Sequence, residues 1–188
     1  NLSGEINEIH KIYKKNLNQD LTEQIKKHKV ARYLHGSSLI KENYPDVHES
    51  IKNIINEELR INLIQQKHLI MISKILLKEN ISHLFFKGIP FSIQLTNNPF
   101  GRGASADLDL FIKESDIKKV VNCLKKNKYR IVEKYNPFFE DSLIGKYCRF
   151  VCPELDIFYE DLNLNCNIDL HWRLSFIRKD IPKFEEVY

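Results

Sequence analysis

Two aspartates in one apolar run constrain the fold of this chain more than any other feature. Residues 106–112 are typical of a β-strand, and they include Asp107 and Asp109. Successive residues of a strand point to opposite faces, so both carboxylates, two residues apart, lie on one face, with their Cα atoms roughly 6.5 Å apart. The pattern predicts a strand with one polar face, and this spacing suits the binding of one or two divalent cations.

A third aspartate has the same sequence character. Asp169 lies in Asn-Ile-Asp-Leu-His-Trp, residues 167–172, and is flanked by apolar residues in another predicted strand. Burying several ionised carboxylates near one another is costly unless a cation or a proton relieves their repulsion. Mg²⁺ is the natural cation here, because it prefers hard oxygen ligands and bridges phosphates.

A strand, a glycine and a helix follow one another upstream of these aspartates. Residues 84–88 predict a short buried strand that ends at Gly88, and residues 89–97 predict a helix. The first N–H groups of a helix can hold a phosphate. Lys87 would add a positive charge beside them, although a lysine before a turn glycine is as often simply exposed.

Taken in order, these motifs resemble a known superfamily. The motifs are Phe86-Lys87-Gly88, Arg102, Asp107-Leu108-Asp109 and Asp169-Leu170-His171-Trp172. They are similar to those of the DNA polymerase β-like nucleotidyltransferases, and in particular of the branch of uncharacterised bacterial nucleotidyltransferases. Many superfamily members carry Gly-Ser after the first strand and a closer Asp-x-Asp pair, so the spacing here fits that branch better than the superfamily at large.

The resemblance implies a role for each aspartate. Asp107 and Asp109 would bind two Mg²⁺ ions, one of which also carries the triphosphate of the donor. Asp169 would complete the site for the ion that activates the acceptor hydroxyl, and it is a candidate to accept the proton of that hydroxyl. An isolated Asp-x-Asp often only caps a strand or pairs with a lysine, but three acids in this context favour a metal site.

The resemblance also implies phosphate ligands. Lys87, Ser105 and Arg102, with the backbone N–H groups after Gly88, would bind the phosphates of a nucleoside triphosphate, expected to be ATP. Pyrophosphate would leave as the α-phosphorus is attacked. His171 shares a strand face with Asp169, so it could contact the acceptor or the nucleobase, or it could orient Asp169 by a hydrogen bond, which is the favoured interpretation.

The predicted fold class is α+β, a small mixed β-sheet backed by helices with an N-terminal helical region. Helices are predicted at 4–15, at 21–35 and over some 30 residues from Asp46, which opens a capping-box pattern. Ser115 is predicted to cap a further helix, and strands are predicted at 129–133, 147–152 and 165–172. We divide the chain into a helical region, 1–80, and a catalytic core, 81–188, and we expect the core to continue beyond residue 188.

Composition sets broad limits. With 188 residues and 43% apolar content the chain can bury a sizeable core, and a net charge of +4 permits polyanion binding without requiring it. There is no secretory signal and no apolar run of membrane-spanning length, which predicts a reduced, cytoplasmic setting without a membrane partner. Cys148 and Cys152 could be imagined as zinc ligands with His171, but a structural role is favoured.

Three functions remain open. The favoured one is an enzyme that transfers a nucleotide to a hydroxyl of a small molecule, a peptide or an RNA end. The second is a toxin or defence nucleotidyltransferase that modifies tRNA, which would need stronger basic grooves. The third is a non-catalytic module that binds a nucleotide but releases no pyrophosphate.

Overall fold

The chain is helical up to Lys78, and strands alternate with helices only after it. The computed structural model describes residues 2–161 and 164–174. The helices are α1 (Leu2–Lys27), α2 (Ala31–Leu34), α3 (Ser38–Asn43), α4 (Pro45–Lys78), α5 (Gly88–Thr96), α6 (Ile117–Lys125) and α7 (Leu143–Val151). The strands are β1 (His83–Phe85), β2 (Asp107–Ile112), β3 (Tyr129–Ile131), β4 (Glu154–Tyr159) and β5 (Asn167–His171).

The described strands form a mixed sheet that does not close, in the order β1-β2-β5-β4-β3. β2 and β5 run parallel, whereas the other neighbouring pairs are antiparallel. A parallel pair needs a long crossover, and the chain between β2 and β5 supplies it with α6, β3, α7 and β4. The predicted α+β class, with a small mixed sheet and an N-terminal helical region, is confirmed.

The two faces of the sheet differ because apolar residues alternate with polar ones along its central strands. Leu108, Leu110 and Ile168 are at most 2% exposed and lie in the main core. Helices α4 and α6 cover this face with Ile72, Leu76, Ile117, Val120, Val121 and Leu124. Full burial of each such side chain contributes ~1.5–3 kcal/mol. The polar residues of the same strands lie on the opposite face.

Helix α4 links this core to a second one. Its last turns pack in the main core, whereas Val47, Ile51 and Ile54 near its start pack with buried residues of α1, α2 and α3. At 1.5 Å per residue its 34 residues span roughly 50 Å. The predicted long helix is therefore confirmed. The division of the chain at residue 80 stays a prediction, and residues 175–188 of the predicted core lie outside the described residues.

Three predictions about helix ends are wrong. The helices predicted at 4–15 and 21–35 are mainly one helix, α1, because the residues between them include neither glycine nor proline. Helix α4 begins at Pro45 without a side-chain cap, since the fixed φ of proline already suits the first helical position. Ser115 lies in a 3₁₀ turn, Glu114–Asp116, and no side-chain hydrogen bond caps α6.

The strand predicted at 147–152 is also wrong, because these residues belong to α7 and its end. The Ser142 hydroxyl caps α7 by accepting a hydrogen bond from the Gly145 N–H at 3.1 Å. At the other end, the Trp172 indole donates to the Arg149 carbonyl at 3.0 Å. The local cap and the tertiary contact of Trp172 together override the β-propensity of the segment. Cys148 and Cys152 pack at the edge of the core.

Within the described residues, no helix combines the length and the apolar composition needed to cross a bilayer.

Candidate functional site

The three predicted aspartates lie on the face of the sheet that α4 and α6 leave uncovered. The register of the parallel pair β2 and β5 places Asp109 directly beside Asp169. Asp107 precedes Asp109 by two residues and therefore points to the same face. All three aspartates line one open pocket of about 370 Å³, which Gly88 also lines. The fold thus brings the aspartates together beside the predicted glycine turn.

The glycine turn has an unusual backbone. Lys87 and Gly88 have consecutive positive φ angles of 40° and 49°. The Phe86 N–H donates to the Asp109 carbonyl at 3.2 Å, so the turn begins level with the aspartates. A Cβ at position 88 would lie 3.1 Å from the Ser105 Oγ, which leaves little space for a side chain. Conformation and space both favour glycine here, and the turn places the N-terminus of α5 at the pocket.

Lys87 contacts the carboxylate of Asp109, with Nζ and Oδ1 2.5 Å apart. The lysine side chain is 62% exposed, whereas that of Asp109 is only 4% exposed. The ammonium group is therefore free to move toward a ligand, while the carboxylate stays in place. Burial lowers the pKa of Lys87, but the hydrogen bond and charge of Asp109, with the charges of Asp107 and Asp169, outweigh burial and raise it.

Asp109 and Asp169 lie side by side in opposite electrostatic surroundings. Burial raises the pKa of Asp109, but hydrogen bonds from His171 and Lys87 outweigh burial and lower it. Burial raises the pKa of Asp169 as well, and the negative charge of Asp107 adds to the effect, giving a pKa of about 6. The site therefore pairs a firmly ionised carboxylate with one that takes up a proton near pH 6. Such divergence is typical of functional carboxylate pairs.

His171 hydrogen-bonds Asp109 rather than the predicted partner, Asp169. Its Nε2 lies 3.1 Å from Oδ1 of Asp109, and its Nδ1 lies 3.0 Å from Oε2 of Glu154. The register explains this choice, because His171 pairs with Phe111 on one side and with Glu154 on the other, so its ring bridges β4 and β2. The contact with Glu154 fixes the imidazole, which in turn orients the Asp109 carboxylate.

The loop before β2 holds Arg102 and Ser105 at the pocket. The Arg102 guanidinium lies over the Phe91 ring, 4.9 Å from its centroid, and the Arg102 N–H donates to the Ser92 Oγ at 3.1 Å. The Ser105 hydroxyl donates to the Asp107 carbonyl at 2.7 Å. Arg102 is exposed and lines the pocket. The Ser105 hydroxyl already donates its proton to the Asp107 carbonyl, so it has no second proton to donate to a ligand.

The sequence analysis missed three residues that shape this site. Buried Gln65 of α4 donates to the carbonyls of Ser105 and Asp107, at 3.2 Å each, and so fixes the start of β2. It is a polar residue at a buried position of α4, which is a usable sequence signal. Glu154 opens an alternating strand that was not predicted. Lys29 lines the pocket from the turn between α1 and α2, and it ends a basic cluster, 26–29, of a kind that is more often a solvated helix face than a ligand site.

The residues that could hold a cation form a compact group. Asp109, Asp169 and His171 each offer one ligand atom, and these atoms lie within 4.8 Å of one another. Asp107 stands two residues earlier on β2, outside this group but in the same pocket. Carboxylate oxygens suit Mg²⁺, whereas both ring nitrogens of His171 already face carboxylates. The metal set Asp107, Asp109 and Asp169 stays a prediction.

The fold and the pocket together define a class of protein. Carboxylates on the open face of a sheet, beside a glycine turn and a helix N-terminus, are typical of metal-dependent transfer of phosphate groups. The model of the uncharacterised nucleotidyltransferase family matches residues 15–186, and the chain belongs to this family. No curated protein and no solved structure gives a significant match. The resemblance to nucleotidyltransferases is thereby confirmed.

Proposed function

We propose that this chain transfers a nucleoside monophosphate from a triphosphate, with ATP as the expected donor, to a hydroxyl group of an acceptor. The observation that carries the proposal is the pairing of Asp109 with Asp169 on neighbouring parallel strands, with Asp107 in the same pocket. Family membership supports the general reaction. The acceptor is a small molecule, a peptide or an RNA end.

The donor atoms of the pocket fit Mg²⁺. Three carboxylates supply hard oxygen ligands, and the raised pKa of Asp169 reflects burial and the charge of Asp107, a repulsion that a cation would relieve. Asp107, Asp109 and Asp169 would hold the ions, and Lys87 would leave Asp109 as they bind. When bound, Mg²⁺ supplies neutralisation of phosphate charge and activation of the attacking oxygen.

The remaining groups are placed to bind phosphate. The exposed Lys87 is the residue immediately before α5, so it stands beside a phosphate held at the N-terminus of that helix, where the N–H groups of Gly88 and Ile89 begin the helix. Pro90 has no N–H to contribute. Arg102 faces the same pocket, and a guanidinium group can bind a phosphate through two parallel hydrogen bonds.

Asp169 is suited to hold the proton of the acceptor hydroxyl. Its carboxylate lies in the pocket with Asp107 and Asp109. The hydrogen bonds of Lys87 and His171 go to Asp109, so an Asp169 oxygen is available to accept a proton as the hydroxyl oxygen attacks. Asp109 is unsuited to this role, because its pKa is lowered by its hydrogen-bond partners.

A screen of the four nucleoside triphosphates with Mg²⁺ and cell extract tests the proposal. We expect pyrophosphate release with at least one of them, together with an acceptor whose mass rises by one nucleoside monophosphate. An adduct on tRNA would identify the tRNA-modifying alternative. Triphosphate binding without pyrophosphate release from any extract would instead identify a non-catalytic module and end the proposal.

We expect the affinity for a divalent cation to fall about tenfold for each pH unit below pH 6, because binding must displace the proton of Asp169. Mn²⁺ binding can be followed by electron paramagnetic resonance without nucleotide, which avoids titration of the triphosphate itself. The affinity should level off above neutral pH. An affinity that stays constant between pH 5 and pH 8 would show that Asp169 is not a ligand.

Replacing Lys87 with alanine should raise the KM for the triphosphate by about 10- to 100-fold, the usual loss for a charged hydrogen bond. The variant should remain folded, because the lysine side chain is largely exposed. Lys126→Ala, which removes an exposed lysine at the end of α6, is the matched control. A normal KM in Lys87→Ala would show that this lysine serves only to neutralise Asp109.

A further inference from the structure

We infer that Lys29 is a phosphate-binding residue that the N-terminal helices contribute to the pocket, an inference that rests on the proposed function. Lys29 lies nearly 60 residues before Gly88 in the chain, yet both line the pocket of the three aspartates. The ligand class is the terminal phosphates of a triphosphate. The first half of the chain would thus supply part of the substrate site as well as support for the sheet.

The backbone holds Lys29 in a defined place. The Lys29 N–H donates to the Lys26 carbonyl at 3.2 Å, and the Val30 N–H donates to the Ile25 carbonyl at 3.2 Å. This pattern is the Schellman motif at the end of α1, with Lys29 at its left-handed position, φ 55°. Ile25 and Ala31, on either side, are buried in the second core. The turn that carries the lysine is therefore anchored.

The same helices fix the loop that carries Arg102. The Arg32 guanidinium donates to the Phe100 carbonyl and lies 3.4 Å from the carboxylate of Glu58, both side chains being largely buried. A Cβ at position 103 would lie 2.7 Å from the Glu58 Oε1 and 3.0 Å from the Lys29 Cβ. The glycine thus allows the loop to pack against α4 and the Lys29 turn. Lys29 and Arg102 consequently reach one pocket from two segments that are in contact.

Charge supports a phosphate ligand. Lys29, Lys87 and Arg102 line the pocket with the three aspartates. Lys87 is paired with Asp109, but among the side chains that the structure describes no carboxylate lies within ion-pair distance of Lys29 or Arg102. A triphosphate that carries divalent cations is close to neutral overall, so when it binds, the three aspartates are balanced by Lys29, Lys87 and Arg102. The outer oxygens of the triphosphate give each of these three side chains a hydrogen-bond acceptor.

The test uses Lys29→Gly, because glycine accepts the positive φ angle and the variant should keep the fold. Lys29→Asn is a second variant, since asparagine also tolerates this conformation. We expect both to bind inorganic tripolyphosphate with Mg²⁺ about tenfold more weakly than the unaltered chain in calorimetry. Affinity for a nucleoside monophosphate should not change. Lys27→Ala, on the neighbouring helical turn, is the control and should bind as the unaltered chain does.

The outcomes separate this inference from the proposed function. If the unaltered chain binds tripolyphosphate and both Lys29 variants bind it equally well, the inference alone is overturned. If both variants weaken tripolyphosphate and monophosphate by the same factor, Lys29 acts on the fold of the pocket and the inference is again wrong. If the unaltered chain binds neither tripolyphosphate nor any nucleoside triphosphate, the proposed function fails together with it.

Discussion

Asp109→Ala is expected to reduce Mg²⁺-dependent nucleotidyl transfer by roughly 10³-fold, the scale of losing one preorganised electrostatic group of an active site. Asp109 is the carboxylate on which the site converges, because it pairs with Asp169 across the strands and accepts hydrogen bonds from Lys87 and His171. The fold should persist, since Lys87 is exposed and His171 keeps its contact with Glu154. Turnover measured as pyrophosphate release, with circular dichroism for folding, checks both expectations.

Asp156→Asn is the matched control for this variant. Asp156 is the register partner of Asp169 on β4, but its carboxylate accepts a hydrogen bond from the Tyr135 hydroxyl at 2.6 Å and it does not line the pocket. This control should keep most of the activity. Equal turnover in Asp109→Ala and the unaltered chain would refute the assignment of the site.

Asp169→Asn should abolish transfer to a similar extent and yet stabilise the metal-free chain, by roughly 1–3 kcal/mol before solvent screening reduces the gain. In the folded chain the pKa of Asp169 is about 6, above its ordinary value of 3.8. Between these values the folded chain holds a proton that the unfolded chain has released, so stability falls as the pH rises through about 6. Asparagine carries no charge that would repel Asp107, so the variant does not lose stability through this ionisation.

Thermal unfolding without metal, at pH 5 and at pH 7.5, tests this expectation. The unaltered chain should lose stability between the two values, whereas Asp169→Asn should lose less and should unfold at a higher temperature at pH 7.5. Added Mg²⁺ should stabilise the unaltered chain and not the variant. A lower unfolding temperature for Asp169→Asn at pH 7.5 would mean that this carboxylate stabilises the fold, contrary to the account.

Much of the sheet could be predicted from local patterns. The alternation around Asp107, Asp109 and Asp169 depends only on the two-residue period of a strand, and both strands form where that period predicts them. The segment 147–152 also has strand-like residues, but its structure is decided by the Ser142 cap and by Trp172, which is distant in sequence. The serine cap is a local signal that the strand-like pattern obscured, whereas the contact of Trp172 carries no local signal.

The candidate site, like the sheet, could be predicted only in part from local patterns. The strand period indicated that the aspartates share a face, but only the register of β2, β5 and β4 shows that His171 reaches Asp109 and Glu154. Lys29 could not have been predicted, because its place at the pocket depends on how the N-terminal helices pack against the loop of Arg102. Hydrophobic periodicity defines which side of a helix is buried, not which distant loop it meets.

The central claim is that this pocket directs attack on the α-phosphorus of a bound triphosphate. The most direct measurement follows a triphosphate labelled at the α- or the γ-phosphorus, incubated with Mg²⁺ and a cell extract that contains the acceptor. Asp109→Ala is the negative control. The account predicts that the α label joins the acceptor and that the γ label is released in pyrophosphate. Transfer of the γ label to the acceptor, or transfer that is equal in Asp109→Ala, would contradict it.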